Sequence, residues 1–435
     1  MPGLLGLPKE LLADICSRLC PHCFQPVGFS CHLDKLKPLR RALLLNLMLS
    51  CKTMRDVARP FLYHSVAAQG LDTVSLLRTL AQTPELGFNI KEITTETSNP
   101  PRGQKLKLDD HSLKFLQGLI KRFSPGARRQ SVIVFPRWHC EIKHAFPAIL
   151  ESVQFSLLAC LTPNLESMEV SLHRDNELSF LPLGRLHRLE QLTLITQKGE
   201  LSTSLSSANK IIREAPSLHT INGDGVHLER RLPIHRNVRT LCLKSSYFSR
   251  LDFKSIMRTF PKLESFTYNT GPVMDVFIKA TPFQVGEALM IRRDTLRHFC
   301  GILAYSGFYD TLEAYDSMAS LRRMKLESLT IDIESIIPPN SDLQFEYGTL
   351  FLDFLPRTIQ EFCLYGVLAS VYPDLLKLAV EAPTRFPNLH KVDFLRSYLQ
   401  SEWTVLLEAG FNKANITCSF QQPSFIEKAV DGASR

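Results

Sequence analysis

The sequence lacks any run of apolar residues long enough to cross a membrane. Its most apolar run, Ala42 to Leu49, is interrupted by Asn46 and is far shorter than the roughly 18 residues that a spanning helix needs. The first residues contain no basic segment and reach Glu10 early, which disfavours a secretory signal. We therefore expect no membrane association, and a location in the cytoplasm, the nucleus or both.

Cysteine pairs with a regular spacing are also missing. The eleven cysteines are odd in number and scattered, which favours reduced thiols over a disulfide framework. One C-x-x-C pair, Cys20 and Cys23, is followed by Cys31 and His32, and such a pair can form half of a zinc site. However, adjacent residues such as Cys31 and His32 rarely face one tetrahedral ion, and no second pair follows. The sequence therefore predicts no metal and no cofactor.

Sequence motifs of the common enzyme classes are absent as well. We find no phosphate-binding loop, dinucleotide-binding glycine motif, zinc-protease helix or nucleophile elbow. The thirteen histidines are scattered, and adjacent acids such as Asp109 and Asp110 point apart, so they cannot bracket one reacting atom. We predict that the protein is not an enzyme, with an enzyme of unrecognised type as the least favoured alternative.

What the chain does contain is an ordinary globular composition over a large length. It has 435 residues, of which 44% are hydrophobic and 22% charged, so it is expected to fold. Single hydrophobic cores stop growing beyond about 250–300 residues. The length therefore predicts several domains or an array of repeats.

The net charge of +8 is concentrated in one segment. Between Arg102 and Lys143, ten basic residues are opposed by three acidic ones. Such a stretch could attract phosphate or an acidic partner. A solvated helix face with a basic loop explains it more simply, and no RNA-binding aromatic signature or zinc-finger spacing accompanies it. Nucleic-acid binding is therefore a disfavoured alternative.

One short phrase recurs through the chain: an apolar residue, two variable ones, an apolar one, one variable and one apolar. Its full copies begin at Leu165, Leu189, Val238, Leu263, Leu326, Ile359 and Leu389. Ile90 opens the series, and Leu218 and Leu296 begin weaker copies in which glycine takes the last apolar place. Alternation at the end of the phrase is typical of a strand with one buried face.

Prolines and helical segments precede several copies of the phrase. Pro163, Pro216, Pro261 and Pro387 each stand two residues before the first apolar position, where proline ends a helix and favours an extended neighbour. Helices are predicted near residues 206–214, 252–260 and 374–382. Each unit thus consists of a helix and a short strand. A single unit cannot bury its own apolar face, but stacked units can.

This pattern resembles the leucine-rich repeat over roughly residues 87–420, in a degenerate form. The resemblance implies an irregular β/α solenoid with a parallel sheet along its inner side. The alternative is a non-repetitive α/β domain in which the phrase recurs by chance.

The variable positions within the phrases should face away from the core, because side chains alternate along a strand. Small hydroxylic residues dominate the eighteen positions, and Lys391 is their only lysine or arginine. Such a face suits a protein or peptide held by hydrogen bonds, although a purely structural face would look the same. The candidate target-binding residues are Gln191, Thr193, Thr240, Ser265, Thr267, Ser328, Thr330, Glu361, Lys391 and Asp393.

The first sixty-six residues follow a different pattern. Leu11, Leu12, Ile15 and Leu19 form one helical stripe, and a second apolar segment over residues 39–49 leads into Cys51 and a further helical stretch. A few short helices bury too little surface to be stable alone. They are therefore predicted to pack against a partner, against the rest of the chain as a cap of its apolar core, or against both.

Residues 5–63 resemble the F-box, and fungal F-box proteins in particular. The matching residues are the opening Leu-Pro-x-Glu-Leu-Leu-x-x-Ile at Leu7 and the closing Ser-Cys-Lys at Ser50, separated by an insertion over about residues 20–38. The family implies docking on the Skp-type adaptor of Skp–cullin–F-box ubiquitin ligases. Carried over by position, the adaptor-binding residues are Leu7, Pro8, Leu11, Leu12, Ile15, Leu47, Leu49 and Cys51.

The resemblances together predict a four-part α/β chain. Residues 1–66 form an F-box-like helical module, 67–86 a linker helix, 87–420 the leucine-rich-repeat-like solenoid and 421–435 a tail. The implied function is substrate recognition for a Skp–cullin–F-box ubiquitin ligase, with the cullin reached through the adaptor and an unidentified target bound by the repeats. The principal alternative is an interaction protein that binds the adaptor without directing ubiquitination.

Overall fold

A computed structural model describes eleven stretches of the chain: residues 6–23, 37–67, 70–94, 109–123, 147–171, 186–196, 203–270, 280–303, 317–337, 349–396 and 399–421. The chain divides into two compact units, Met1–His219 and Thr220–Arg435. This division does not test the four predicted domain boundaries, which stay predictions. The predicted tail falls outside the described residues except for Gln421, and so does most of the basic segment.

The first unit begins with three packed helices. They are α1 (Lys9–Leu19), α2 (Lys37–Ser50) and α3 (Lys52–His64). Their small core consists of Leu12, Cys16, Cys20, Leu44, Met54 and Ala58. We call these three helices the helical module. Of the stripe predicted from the sequence, Leu12 lies in this core and Leu19 packs against it, whereas Leu11 is exposed and Ile15 is half-buried.

The rest of the first unit alternates helices and strands. The elements are β1 (Ser65–Ala67), α4 (Gly70–Gln82), α5 (Pro84–Gly87), β2 (Glu92–Thr94), α6 (Asp110–Phe123), α7 (Pro147–Leu161), β3 (Ser167–Ser171), β4 (Gln191–Ile195), β5 (Thr203–Ser204), a 3-10 turn (Leu205–Ala208) and α8 (Asn209–Glu214). Strands β1, β2, β3 and β4 pair side by side in this order, and all pairs are parallel.

The second unit has the same organisation. Its elements are β6 (Thr220–Asp224), β7 (Val226–His227), β8 (Thr240–Ser246), α9 (Arg250–Thr259), β9 (Ser265–Thr270), α10 (Pro282–Leu289), β10 (His298–Ile302), β11 (Ser328–Asp332), α11 (Ile333–Ile336), α12 (Leu350–Phe354), β12 (Glu361–Tyr365), α13 (Tyr372–Arg385), β13 (Lys391–Leu395), α14 (Ser401–Lys413) and β14 (Thr417–Gln421). A parallel sheet runs from β6 through β8 to β14 in chain order.

Each of the ten recurring phrases forms a strand of these sheets. In β4, for example, Leu192 and Leu194 are fully buried whereas Gln191 and Thr193 are half-exposed. The four prolines follow helices directly, since α7, α8, α9 and α13 each end two residues before one of them. The predicted α/β class with a parallel sheet is therefore confirmed.

Among the described strands, four fall outside the recurring phrases: the two-residue strands β5 and β7, and strands β1 and β14. Strand β1 lies in the part of the chain assigned to the module and the linker, and it is only three residues long. Strand β14 has the last two apolar positions of the phrase, Cys418 and Phe420, but Asn415 stands at the first one. Both lie at an end of the strand order, where half of the pairing that marks an inner strand is missing.

None of the helices in the described stretches is both long enough and apolar enough to span a membrane.

Candidate functional site

The helical module exposes leucine side chains to solvent. Relative exposures are 52% for Leu11 on α1 and 57%, 41%, 42% and 64% for Leu39, Leu43, Leu45 and Leu49 on α2. On α2 only Leu44 is fully buried among the residues whose side chains are described. We call these five residues the leucine surface. Five exposed leucines within three short helices exceed the single apolar side chains that are ordinary on a monomer surface, and such groups mark sites of interaction.

The eight predicted adaptor-binding residues divide by exposure. Pro8, Leu11 and Leu49 are exposed, and Leu12 is only 1% exposed inside the core of the module. The half-buried members are Leu7, Ile15, Leu47 and Cys51. The structure therefore brings the set together in one module, with Leu12 holding the helices rather than lying on their surface.

Cys51 has a local structural task. It precedes α3, and its Sγ accepts a hydrogen bond from the backbone N–H of Met54 at 3.4 Å. This contact satisfies one of the N–H groups left without a partner at the start of every helix. Any contact of Cys51 with an adaptor would therefore be made by a side chain already engaged in capping.

Leu39, Leu43 and Leu45 were missed among the candidate residues. The available signal was the excess of leucine in α2, because a helix facing one core needs apolar residues on one stripe only. Leu43, Leu44 and Leu45 are consecutive, so successive 100° rotations must place some of them outside the core. Sequence alone could not tell which of the three was buried.

The second candidate surface is the polar face of the sheet in the second unit. Parallel pairing in constant register aligns its variable positions in two rows across the strands. The first row contains Thr240, Ser265, His298, Ser328, Glu361 and Lys391, and the second contains Cys242, Thr267, Cys300, Thr330, Cys363 and Asp393. We call these twelve residues the polar rows. Eight of the ten predicted target-binding residues belong to them.

The remaining two, Gln191 and Thr193, lie in the first unit. They are half-exposed on β4 and pair in register with Ser167 and Glu169 of β3. The sheets of both units thus present polar side chains at the alternate positions that the sequence predicts.

Lys391 and Asp393, two of the three charged residues of the polar rows, pair with each other. Lys391 Nζ lies 2.8 Å from Asp393 Oδ2, and Ser419 donates a hydrogen bond of 2.6 Å to Asp393 Oδ1. The hydrogen bond and charge of Asp393 raise the pKa of Lys391. Burial raises the pKa of the Cys363 thiol to about 11. The rows therefore offer hydroxyl and thiol groups with little net charge, which does not favour phosphate.

The sequence matches no known protein family and no curated protein. The function must therefore be inferred from the residues of the chain itself. The leucine surface and the polar rows are the two surfaces that bear on it.

Thiol and imidazole groups meet where α1 and α3 end. Cys20 Sγ lies 3.7 Å from His64 Nδ1, and Cys23 Sγ lies 3.3 Å from the same nitrogen. Cys31 and His32, the partners considered from the sequence, lie outside the described residues. His64 was missed because it stands forty-one residues after Cys23, with no spacing that links the two.

Burial sets the protonation state of this group. It raises the pKa of the Cys20 thiol to about 12. Burial, assisted by nearby His22 and Lys91, lowers the pKa of His64 to about 4. At neutral pH the imidazole of His64 is therefore neutral, with a nitrogen lone pair available to accept a proton or bind a metal.

Proposed function

We propose that this chain is the substrate-recognition subunit of a Skp–cullin–F-box-type ubiquitin ligase. In this proposal the helical module docks on the Skp-type adaptor, and the sheet-bearing part of the chain binds a target protein. The chain contributes binding and orientation, while the transfer chemistry belongs to other subunits. It acts in the cytoplasm, the nucleus or both.

The leucine surface carries the proposal. The module buries Leu12 and Leu44 in its own core and still exposes five leucines. Burial of apolar area gives about 25 cal/mol per Å², so covering these side chains would yield useful binding free energy. This arrangement supports the resemblance of residues 5–63 to the F-box, whose helices dock on the adaptor through apolar side chains.

The polar rows support the second half of the proposal. We propose that the stacked strands and helices form a degenerate leucine-rich-repeat-like solenoid whose polar rows contact the target. Hydroxyl groups in constant register can each donate or accept a hydrogen bond. Their short side chains lose little rotational entropy when a partner orders them. The low net charge favours a protein or peptide target over nucleic acid.

Adaptor capture by full-length variants tests the docking assignment. Leu11→Asp/Leu49→Asp places two charges on the leucine surface and should reduce capture of a purified Skp-type adaptor at least tenfold. Leu251→Asp is the matched control, because Leu251 is 75% exposed on α9 in the second unit. It should bind the adaptor like the unmodified chain. Equal capture by all three proteins would reject the docking assignment.

Reconstitution with the cullin tests the consequence of docking. The proposal requires that the chain, the adaptor and the cullin form one complex that ubiquitinates a protein bound through the polar rows. If the chain binds the adaptor but the cullin never joins them, the chain is instead an interaction protein that does not direct ubiquitination. Co-purification from the native source with and without residues 1–66 would identify the target, since target binding should survive loss of the module.

A further inference from the structure

Cys20, Cys23 and His64 have the spacing of metal ligands. Their three ligand atoms all lie within 4.8 Å of one another. With Zn–S near 2.3 Å and Zn–N near 2.0–2.1 Å, tetrahedral geometry places a sulfur about 3.6 Å from a nitrogen. The two sulfur–nitrogen distances here, 3.7 and 3.3 Å, lie on either side of that value. One ion can therefore contact all three atoms without a large rearrangement.

The types of ligand select the metal. Two sulfurs and one imidazole are soft and intermediate donors, which suit zinc and do not suit magnesium or calcium. A histidine binds a metal through the lone pair of an unprotonated ring nitrogen, and Nδ1 of His64 is the nitrogen that faces both sulfurs. The thiols would lose their protons to solvent as the ion binds, with no change in oxidation state.

We propose that Cys20, Cys23 and His64 bind a structural zinc ion. The fourth position is left to water, or to His22 after its ring has moved, because His22 Nδ1 lies 3.8 Å from Cys23 Sγ but outside the group of mutually close ligand atoms. This assignment departs from the sequence-based expectation of no metal, because the third ligand comes from the last residue of α3.

The surroundings of the three residues support a built site. His22 Nε2 lies 3.4 Å from a carboxylate oxygen of Glu166, and the other oxygen of Glu166 lies 3.0 Å from Lys91 Nζ. The Glu166 carboxylate therefore holds the ring of His22, which stands between the ligands Cys20 and Cys23 in the sequence. The rings of His22 and His64 meet edge to face, with centroids 5.7 Å apart. His22, Glu166 and Lys91 are thus paired with one another beside the ligands.

The position of the site indicates what the ion does. Cys20 follows α1 directly, His64 ends α3 just before β1, and Glu166 stands just before β3. A bound ion would join the ends of α1 and α3 next to the first strands of the sheet. It would therefore fix the helical module against the strands of its own unit.

A disulfide between Cys20 and Cys23 is the competing explanation. It would account for two of the three side chains but gives no role to His64, whose Nδ1 lies near both sulfurs. The geometry thus favours a metal.

Metal analysis of the full-length protein tests the proposal. The purified chain should hold one zinc per molecule, and Cys20→Ser/Cys23→Ser should hold none. The control Cys242→Ser/Cys300→Ser removes two half-exposed thiols of the second unit and should keep the metal. Cobalt loaded in place of zinc should give the visible absorption of a tetrahedral ion with a thiolate charge-transfer band.

X-ray absorption spectroscopy of the unmodified chain reports the atoms bound to the metal, so this test does not depend on whether the variants fold. Two sulfur ligands with the remainder nitrogen or oxygen is the expected result. A metal coordinated by nitrogen and oxygen alone would overturn the assignment, as would zinc retained at full stoichiometry by Cys20→Ser/Cys23→Ser. Reduced protein that binds no metal from an equimolar zinc solution, or a Cys20–Cys23 disulfide in freshly isolated chain, would overturn it equally.

Discussion

Single side chains decide how closely elements of this protein approach one another. At Gly87, in α5, an added Cβ atom would overlap the carbonyl oxygen of Leu161 at the end of α7. Real atoms never overlap in this way, so α5 and the end of α7 can meet only because residue 87 has no side chain. At Gly118, in α6, a Cβ atom would meet nothing within 4 Å.

These two glycines predict opposite results for the same substitution. Gly87→Ala should destabilise the protein by about 1–3 kcal/mol, because backbone must move to admit the methyl group. Gly118→Ala should stabilise it by roughly 0.5–1 kcal/mol, because alanine is the better helix former at an exposed position. Thermal unfolding of the two variants checks the pair. Melting temperatures shifted in the same direction would contradict the close approach at Gly87.

Glu334 makes stability depend on pH. It is half-buried at the start of α11, beside Asp332, whose side chain accepts hydrogen bonds from the N–H groups of Leu303 and Ser335 at 2.7 and 2.8 Å. Burial and the charge of Asp332 raise the pKa of Glu334 above 4.5, its ordinary value. The folded state therefore holds this proton more tightly than the unfolded chain does. Its contribution to stability is complete below the unfolded pKa and is lost as pH rises through the folded pKa.

Replacing Glu334 by glutamine should remove this pH dependence. Glu334→Gln and the unmodified chain should have similar stability below about pH 4, where both side chains are neutral. As pH rises towards about 7, the variant should become the more stable protein. Melting temperatures measured across this interval check the prediction. Glu402→Gln, at an exposed site, controls for the change in net charge; an identical pH trend in both variants would contradict a specific effect.

Two consecutive leucines on α2 have different expected roles, one in stability and one in adaptor binding. Leu44 is 0% exposed and Leu43 is 41% exposed. Leu44→Ala should therefore cost about 2–5 kcal/mol through the cavity it leaves. Leu43→Ala should change stability by no more than about 0.5 kcal/mol. Denaturant unfolding measures both, and adaptor affinity should fall for Leu43→Ala while its unfolding curve stays unchanged. Equal destabilisation would show that α2 buries a different face.

Most of the helices and strands described here could be predicted from the sequence. The phrases that became strands were recognisable because the period of two and the preceding proline are local signals. The leucine surface was only half recognisable, because the rotation of α2 about its axis depends on Met54 and Ala58 in α3, which no local pattern specifies. His64 could not be found at all, since its neighbours Cys20 and Cys23 reach it only through the packing of α1 on α3.

Buried and exposed side chains alternate along the strands of both sheets. Substitutions at exposed strand positions should therefore be tolerated, and substitutions at buried ones should not. Thr330 and Leu329 are neighbours on β11, one in the polar rows and the other fully buried. Thr330→Arg should leave the melting temperature nearly unchanged, whereas Leu329→Arg should prevent folding, because an unpaired charge cannot be buried in an apolar core. The same contrast is expected for Thr267 and Phe266 on β9.

The substitutions in the polar rows that leave stability unchanged should impair target binding. Thr330→Arg and Thr267→Arg place bulky charges in the polar rows and should abolish target capture while leaving adaptor capture intact. Comparison of proteins co-purified with each variant measures this. Undiminished target capture by the double variant Thr267→Arg/Thr330→Arg would remove the polar rows from the binding surface.

Strand order in the second unit follows chain order, and this has a consequence for how such a protein can change in size. Within the sheet that runs from β6 through β8 to β14, each strand pairs with the next sheet strand along the chain, so these pairings need no distant part of the chain. A helix and a strand can therefore be gained or lost at the end of the series without altering the register of those before it. Under the proposed function, the surface that binds a target could thus grow or shrink by one helix and strand at a time, while the helical module that docks on the adaptor stays unchanged.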